Sequence, residues 1–277
     1  MFMRLTGALL RAVFMGALVA TPALMLSGSG DDTGQMVVFM AILAGVLTFL
    51  EYRAAWPVVV EFRDAPPFNR IRFVALFVTV AALALIFRGE ADPSTLTRLL
   101  GHLGAQVAGW ADFPYSPVRL LTLTLSDMVD PATAQRVRIA AGLSYLISLA
   151  MLLTLALVMW RSGWPLRREG FNVWVNLPVF DPAAGGDLVR RLDRDAQVNL
   201  ILGFLLPFVI PAVISLVAGV VDFTRLTSPQ AVIWVVAAWA FLPASLLMRG
   251  MALMRLGHLV AAQRARQGGD EAALHHV

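Results

Sequence analysis

The chain has 277 residues, of which 58% are hydrophobic and only 14% are charged, and its mean hydropathy is +0.74. A soluble domain carries nearer a quarter of charged residues, so this composition predicts an integral membrane protein. The absence of cysteine excludes disulfides, thiolate metal sites and cysteine nucleophiles. All 22 basic residues are arginine, which we interpret as the codon bias of a GC-rich bacterial genome. They are dispersed among 18 acidic residues, so the net charge of +4 predicts no nucleic-acid partner.

Six apolar segments approach or exceed the roughly 20 residues that a membrane-spanning helix needs. The sequence therefore predicts an all-α, polytopic transmembrane helical bundle that forms a single integral-membrane domain over residues 1–277. The first segment also resembles a signal peptide, since Arg4 and Arg11 precede an apolar run that ends in small residues. We expect a retained helix there, with a cleaved signal as the alternative. The predicted spans cover residues 12–27, 36–52, 71–87, 139–160, 198–221 and 231–249.

The polar connections between the spans carry their own patterns. Leu99–Ala111 and Leu120–Val129 are apolar but too short to cross a bilayer, which predicts interfacial helices on the membrane surface. Phe171–Phe180 alternates in part between apolar and polar residues, which indicates a short strand that could pair with Val58–Phe62. Asp187 is predicted to cap a helix that runs on into the fifth span.

The fifth span carries a ridge of small and polar residues at four-residue spacing within Val198–Val221, a run without a charged side chain. Residues four apart lie along one face of a helix, and small residues on that face allow another helix to approach closely. Two prolines on the ridge each remove a backbone donor, so they predict a kink near mid-membrane. The kink is either a static packing feature or a hinge around a substrate cavity. The ridge consists of Asn199, Gly203, Pro207, Pro211, Ser215 and Gly219.

The distribution of arginine predicts the orientation of the chain. With six spans, both termini lie on one side, and that side carries 16 of the 22 arginines. The positive-inside rule then predicts a bacterial inner (cytoplasmic) membrane protein with both termini in the cytoplasm. We call the side that carries the termini the Arg-rich side. Arg249, at the edge of the sixth span, is predicted to snorkel toward it.

Charge at the Arg-rich side is concentrated in the two large connections and forms a predicted docking surface. Its structural interpretation is a solvated ion-pair network that contacts anionic lipids, and its functional interpretation is a platform for a partner protein. A polar active site at the membrane surface is the third possibility. The surface comprises Glu61, Arg63, Asp64, Arg70, Arg72, Arg190, Arg191, Asp193, Arg194 and Asp195, together with Glu169.

No predicted span has an acidic side chain in its central part, and ion-coupled carriers and proton pumps usually depend on such groups. No zinc-protease, nucleophile-elbow or phosphate-loop motif occurs. His102 and His258 fall on opposite sides of the predicted topology, so we expect no haem, metal or other cofactor. The small-residue ridge and the structured connections favour a non-catalytic accessory or assembly subunit of a larger membrane complex, with membrane lipids and other membrane proteins as partners. The alternative is a transporter or channel for a neutral or apolar solute, which would use the Pro207/Pro211 kink. A third hypothesis is a lipid-modifying enzyme with Glu61, Asp64, Asp193 or Asp195 in a cleft.

Overall fold

The computed structural model describes residues 2–26, 31–89, 92–165, 176–178, 187–218 and 228–274. Within these ranges the chain is helical, with eight helices joined by turns and no strand. The helices are α1 (Phe2–Met25), α2 (Asp31–Arg53), α3 (Phe68–Arg88), α4 (Thr95–Ala111), α5 (Pro117–Ser126), α6 (Pro131–Ser162), α7 (Leu188–Ala218) and α8 (Pro229–Leu274).

Six of these helices, α1, α2, α3, α6, α7 and α8, are long and apolar enough to cross a membrane. This confirms the predicted number of candidate spans and their order. Most of the helices extend beyond the predicted spans. A helix can continue past its apolar span when one face still packs against a neighbouring helix and the other face is polar. The largest difference is at α8, which runs on to Leu274 instead of ending as an apolar helix at residue 249.

Helix α6 lies at the centre of the bundle, where it contacts α3, α4, α5 and α8. Helices α7 and α8 form an antiparallel pair with the most extensive contact between any two helices described. Helices α1 and α2 form a second pair at the periphery, and among the described residues α2 contacts no helix other than α1. The short helices α4 and α5 both pack on α6, and α5 also contacts α7.

Small residues form the contact between α1 and α2. A methyl group added at Gly16 would lie 3.2 Å from the carbonyl oxygen of Ala41, and one at Gly45 would lie 3.2 Å from that of Ala12. Each helix therefore contributes an alanine and a glycine four residues apart. Within lipid, apolar side chains gain little by leaving acyl chains for each other, so close backbone approach of this kind is what holds two helices together.

The predicted interfacial pieces are both helical, and their first turns are capped by serine. The Ser94 hydroxyl accepts a hydrogen bond from the Thr97 amide in a capping box, and the Ser116 hydroxyl accepts one from the Arg119 amide. Helix α4 lies close against α6, since a methyl group at Gly142 would stand 2.7 Å from the Cα atom of Ala108. This packing fixes both short helices to the bundle.

The predicted strand pairing is wrong for the segment Val58–Phe62, which consists of turns. The amides of Val58, Val59 and Val60 donate at 2.8 Å to one carboxylate oxygen of Glu51, so they are not available to a neighbouring strand. Most of the predicted partner, Phe171–Phe180, lies outside the described residues. The two connections do meet at Asn176, whose carbonyl accepts from the Phe62 amide at 2.6 Å.

Two buried clusters make up the core. The first joins α3, α5, α6 and α8 around Leu83, Leu121 and Trp239. The second lies toward the Arg-rich side and includes the rings of Phe62, Phe68 and Trp164. In the second cluster the Phe68 and Trp164 rings are stacked with their centroids 5.8 Å apart, and the Trp164 indole donates to the Ala65 carbonyl at 3.1 Å. This cluster anchors the connection after α2 to the membrane bundle.

Candidate functional site

Two residues of the predicted ridge on α7, Gly203 and Pro207, contact α8. Asn199, Gly203 and Pro211 are buried, and Pro207 is half-buried. A methyl group at Gly203 would lie 2.8 Å from the Pro243 carbonyl oxygen and 2.9 Å from the Leu247 amide nitrogen, so only glycine fits there without a shift. The Asn199 amide donates back to the Asp195 carbonyl of its own helix at 2.7 Å. Gly219 lies outside the described residues.

Pro211 leaves the backbone carbonyl of Pro207 without a helical donor, and α8 supplies its partner. Pro211 has no amide hydrogen, so the Pro207 carbonyl loses its donor from the next turn. The indole nitrogen of Trp239 on α8 donates to this carbonyl at 3.0 Å. An unpaired carbonyl within lipid is costly, and this hydrogen bond removes that cost. In the hinge hypothesis this carbonyl would face a cavity. In the structure it accepts a hydrogen bond from the Trp239 indole.

A second polar contact joins the ridge to α5. The hydroxyl groups of Thr124 and Ser215 lie 3.0 Å apart, and the Thr124 hydroxyl also reaches the Pro211 carbonyl at 3.5 Å. The part of α7 from Pro207 to Ser215 therefore makes polar contacts with both α8 and α5. Ser148 makes a similar contact elsewhere in the bundle, since its hydroxyl donates from α6 to the Ala240 carbonyl of α8 at 3.1 Å.

The α7/α8 pair continues beyond the predicted spans as a helical hairpin. We call this part, residues 188–197 of α7 and 250–266 of α8, the arm. Gly250 packs against Ala196 and Leu200, and a methyl group at Gly257 would lie 2.9 Å from a carboxylate oxygen of Asp193. Asp187 ends the arm, where its carboxylate accepts from the Val189 amide at 3.2 Å and from Arg264 at 2.8 Å. The predicted capping role of Asp187 is confirmed.

Glu61 and Arg249 form a two-pronged ion pair at the base of the arm. Arg249 Nε and Nη2 donate to the two carboxylate oxygens of Glu61 at 2.5 and 2.8 Å. Their side chains are only 13% and 23% exposed, and the carboxylate of Asp195 also acts on Arg249 electrostatically. The sequence predicts that Arg249 snorkels toward the Arg-rich side, without a partner within the chain. Arg249 instead connects α8 to the connection after α2, because Glu61 is brought within reach by the fold.

Arg63 and Glu51 fix the turn that follows α2. The Arg63 guanidinium donates to the carbonyls of Glu51, Ala54 and Ala55 at 2.8–3.2 Å, and its side chain is only 9% exposed. These carbonyls lie at the end of α2, where backbone acceptors lack helical partners and a cation is favourable. The Arg63 guanidinium therefore makes its hydrogen bonds to backbone carbonyls of the same chain.

The remaining residues of the predicted docking surface are distributed over several environments. Asp64, Arg70, Arg190 and Arg194 are exposed, whereas Arg191, Asp193 and Asp195 are half-buried. Arg72 lies within 6 Å of the Phe68 and Phe241 rings, at 5.7 and 5.9 Å from their centroids. An open depression of about 480 Å³ on the arm is lined by Asp187, Val189, Arg190, Asp193, Arg194 and Gln197. Glu169 lies outside the described residues.

The acidic residues named for a lipid-modifying enzyme have different neighbours. Both oxygens of Glu61 bond Arg249, and Asp195 acts on the same arginine. Asp193 lies against Gly257, while the exposed carboxylate of Asp64 is 3.5 Å from Arg63. Within the described ranges, no group of three or more His, Asp or Glu side chains comes close enough together to hold a metal ion.

The sequence did not predict the Glu61–Arg249 ion pair, because it joins distant segments. The contact between α7 and α8 along the arm does have a signal in the sequence. Gly250 and Gly257 are seven residues apart on α8, and Pro243 lies seven residues before Gly250. That spacing places all three on one face of a helix and matches the ridge on α7. Comparison with protein-family models, with curated proteins and with solved structures gave no match for this chain. The fold and its surface therefore carry the functional argument.

Proposed function

We propose that the protein is a non-catalytic, multi-pass accessory or assembly subunit of a larger complex in a bacterial inner membrane, and that its arm docks a partner. The single observation that carries this proposal is the construction of the arm. It is a helix pair that continues about 15 Å past the predicted spans, at 1.5 Å per residue over the ten residues of α7. Glycines along its seam and a terminal Asp187–Arg264 pair hold it together.

The charge of the arm indicates the kind of partner. Arg190 and Arg194 are exposed on α7 beside the open depression, and Arg264 and Arg266 are exposed on α8. The acidic residues nearby are partly used within the chain, since Asp187 bonds Arg264 and Asp193 packs against Gly257. With Arg264 paired to Asp187, the exposed arginines left over are Arg190, Arg194 and Arg266. They fit an acidic face of a cytoplasmic or membrane protein, because complementary charge steers association and fixes register.

The internal ion pairs support a scaffold more than a reaction centre. Glu61 and Arg249 bond each other, and the Arg63 guanidinium is occupied by backbone carbonyls. Such groups stiffen the base of the arm, and they are not arranged around a reacting atom. A rigid base suits a docking role because less conformational freedom is lost when a partner binds.

The test is purification in a gentle detergent at native expression level. We expect a partner in stoichiometric amount, and we expect Arg190→Glu with Arg194→Glu to release it. Arg98→Glu with Arg119→Glu is the matched control, since both residues are exposed and the charge change is equal, but they follow α3 on the other side of the bundle. A lone monodisperse wild-type protein would contradict the proposal, as would equal loss of the partner in both double variants.

The transporter alternative depends on the same kink. The Pro207 carbonyl is held by the Trp239 indole, so a solute pathway there would require this hydrogen bond to open. In proteoliposomes, that alternative predicts a higher flux of neutral solute for Trp239→Phe than for the wild type. The subunit proposal predicts no flux in either protein.

A further inference from the structure

Arg11 lies inside the apolar part of α1. The candidate span begins at Leu5, so the Arg11 backbone is about 9 Å from the start of the span at 1.5 Å per residue. Its neighbours Leu10, Val13 and Phe14 are exposed on the bundle surface, where they face acyl chains. A guanidinium left among acyl chains is costly, so the side chain needs a polar destination.

The local structure directs Arg11 toward the Arg-rich side. Its Nη1 atom donates to the Gly7 carbonyl at 2.8 Å, one turn nearer the helix start. Gly7 leaves room for it, since a methyl group there would lie 2.9 Å from Nη1. The guanidinium stands over the Tyr52 ring of α2, with its central carbon 4.7 Å from the ring centroid. No carboxylate lies within 4.0 Å of it among the described residues.

Arg72 on α3 carries a second guanidinium on this side of the bundle, next in sequence to Phe73. The charges of Arg11 and Arg72 both act on the Tyr52 side chain. One turn deeper, the Phe14 and Phe73 rings are 6.1 Å apart and hold α1 against α3. The Nε atom of Arg72 is buried and has no hydrogen-bond partner in the described part of the chain.

The nearby acid does not neutralise this pair. Glu61 acts electrostatically on Arg72, but both of its oxygens bond Arg249. The cluster of Arg11, Arg72, Arg249, Glu61 and Asp195 contains three guanidiniums and two carboxylates, and both carboxylates act on Arg249. Two guanidiniums and a phenol hydroxyl are left for an anionic group at the level of the leaflet surface.

We propose that Arg11, Tyr52 and Arg72 form a binding site for the phosphate group of an anionic phospholipid in the leaflet on the Arg-rich side. The guanidiniums would donate charge-assisted hydrogen bonds to the phosphate oxygens, and Tyr52 would add a hydroxyl donor. The acyl chains would lie along Leu10, Val13 and Phe14, which are exposed on the same helix. Basic pockets between spans on the cytoplasmic side are known to take such headgroups.

The test uses the full-length protein in detergent and counts bound lipids by native mass spectrometry. The probes are dioleoyl phosphatidylglycerol and dioleoyl phosphatidylcholine, which share acyl chains but differ in net charge. We expect the wild type to retain phosphatidylglycerol in preference. Arg11→Gln and Arg72→Gln should each weaken that binding about tenfold, the effect of losing one charge-assisted contact. Arg70→Gln is the control, because Arg70 is exposed and lies two residues from Arg72 on the same helix.

Several outcomes would overturn the proposal. Equal retention of phosphatidylglycerol and phosphatidylcholine by the wild type would be one such outcome. This comparison needs no variant, so it remains informative if Arg72→Gln does not fold. Loss of binding in Arg70→Gln equal to that in Arg72→Gln would show a general charge effect. Displacement of phosphatidylglycerol by millimolar inorganic phosphate would show a free-anion site rather than a lipid site. Retention of lipid by Arg11→Lys at an intermediate level supports the proposal, since lysine keeps the charge but loses the fork of donors.

Discussion

At the scale of single residues, several polar atoms within the bundle have partners from distant parts of the chain. Pro211 removes the helical donor of the Pro207 carbonyl, and the Trp239 indole replaces it. The carboxylate oxygens of Glu61 are both taken by Arg249, and one oxygen of Glu51 accepts three amides. Lipid and the interface offer few alternative partners, so each of these contacts is costly to break.

The hydrogen bond from Trp239 to Pro207 is testable with a conservative change. Trp239→Phe keeps an aromatic ring but leaves the carbonyl without a donor, so we expect a loss of about 1 kcal/mol in the free energy of unfolding. Trp234→Phe is the control, since Trp234 packs against the same cluster and has no described hydrogen bond. The measurement is unfolding in mixed detergent micelles. Equal losses in the two variants would mean that ring size, not the hydrogen bond, matters.

The Glu61–Arg249 pair predicts strong coupling between two residues 188 positions apart in sequence. Arg249→Gln leaves Glu61 half-enclosed and unpaired, and we expect a loss of about 2 kcal/mol in the free energy of unfolding. Glu61→Gln should cost a similar amount, whereas the double variant should cost clearly less than the sum of the two. A double-mutant cycle by denaturant unfolding in detergent measures this. Additive losses would show that the two side chains do not depend on each other.

At the scale of elements, glycine seams join the helices in pairs. The seam between α7 and α8 runs through Gly203, Gly250 and Gly257, and the one between α1 and α2 through Gly16 and Gly45. Gly203→Ala would place a methyl group 2.8 Å from the Pro243 carbonyl, so the helices must separate. We expect a loss of about 1–3 kcal/mol in the free energy of unfolding, the usual cost of overpacking.

A matched glycine in α4 gives the control for that experiment. Gly101 has no atom within 4 Å of an added methyl group, so Gly101→Ala should be neutral or stabilising by up to about 1 kcal/mol through helix propensity. Both variants are compared by the same unfolding measurement. If Gly203→Ala is tolerated as well as Gly101→Ala, α7 and α8 do not pack as closely as described.

The end of the arm should respond to acid. Arg264 lowers the pKa of Asp187 by hydrogen bonding, and the Val189 amide adds to the effect. A carboxyl whose folded pKa is lowered stabilises the fold above its unfolded pKa of about 3.9, and that contribution disappears as the pH falls through the folded value. We therefore expect the end of the arm to loosen below about pH 4 and to be unchanged between about pH 5 and 8.

The chain has no cysteine, so spin labels can be placed at Arg190→Cys and Ala261→Cys without background. The label-to-label distance distribution should broaden as the pH falls below about 4. Asp187→Asn should give the broad distribution at every pH, because the ion pair with Arg264 is absent. A distribution that stays narrow in acid would mean that Asp187 does not hold the arm.

The sequence predicted the number and order of the candidate spans because charge-free runs of about 20 residues have few alternatives to a membrane helix. The four-residue spacing of the ridge on α7 is visible without a structure, and two of its residues, Gly203 and Pro207, contact α8. The sequence did not predict the partners of Glu61 or Arg63, because those depend on contacts between distant segments. The strand predicted at Val58–Phe62 failed for a similar reason, since the Glu51 carboxylate seven residues upstream took its amides. The sequence analysis did not predict the contact between α1 and α2, although each helix has an alanine and a glycine four residues apart.

At the scale of the whole molecule, six candidate spans form a multi-pass bundle with α6 at its centre. The arm and the connection after α2 meet at Glu61 and Arg249, so the bundle and its Arg-rich side are mechanically linked. This supports our proposal that the protein positions a partner. The uneven distribution of arginine, 16 on one side and 6 on the other, supports placing the arm in the cytoplasm.

Accessibility of single cysteines from the two sides of a bacterial inner membrane tests the central claim most directly. Arg190→Cys on the arm and Tyr115→Cys between α4 and α5 are both exposed, and the chain has no other cysteine. A membrane-impermeant maleimide should label Tyr115→Cys in intact spheroplasts and Arg190→Cys only in inverted vesicles. Labelling of both positions from the same side, or of Arg190→Cys in intact spheroplasts, would contradict the six-span bundle with a cytoplasmic arm.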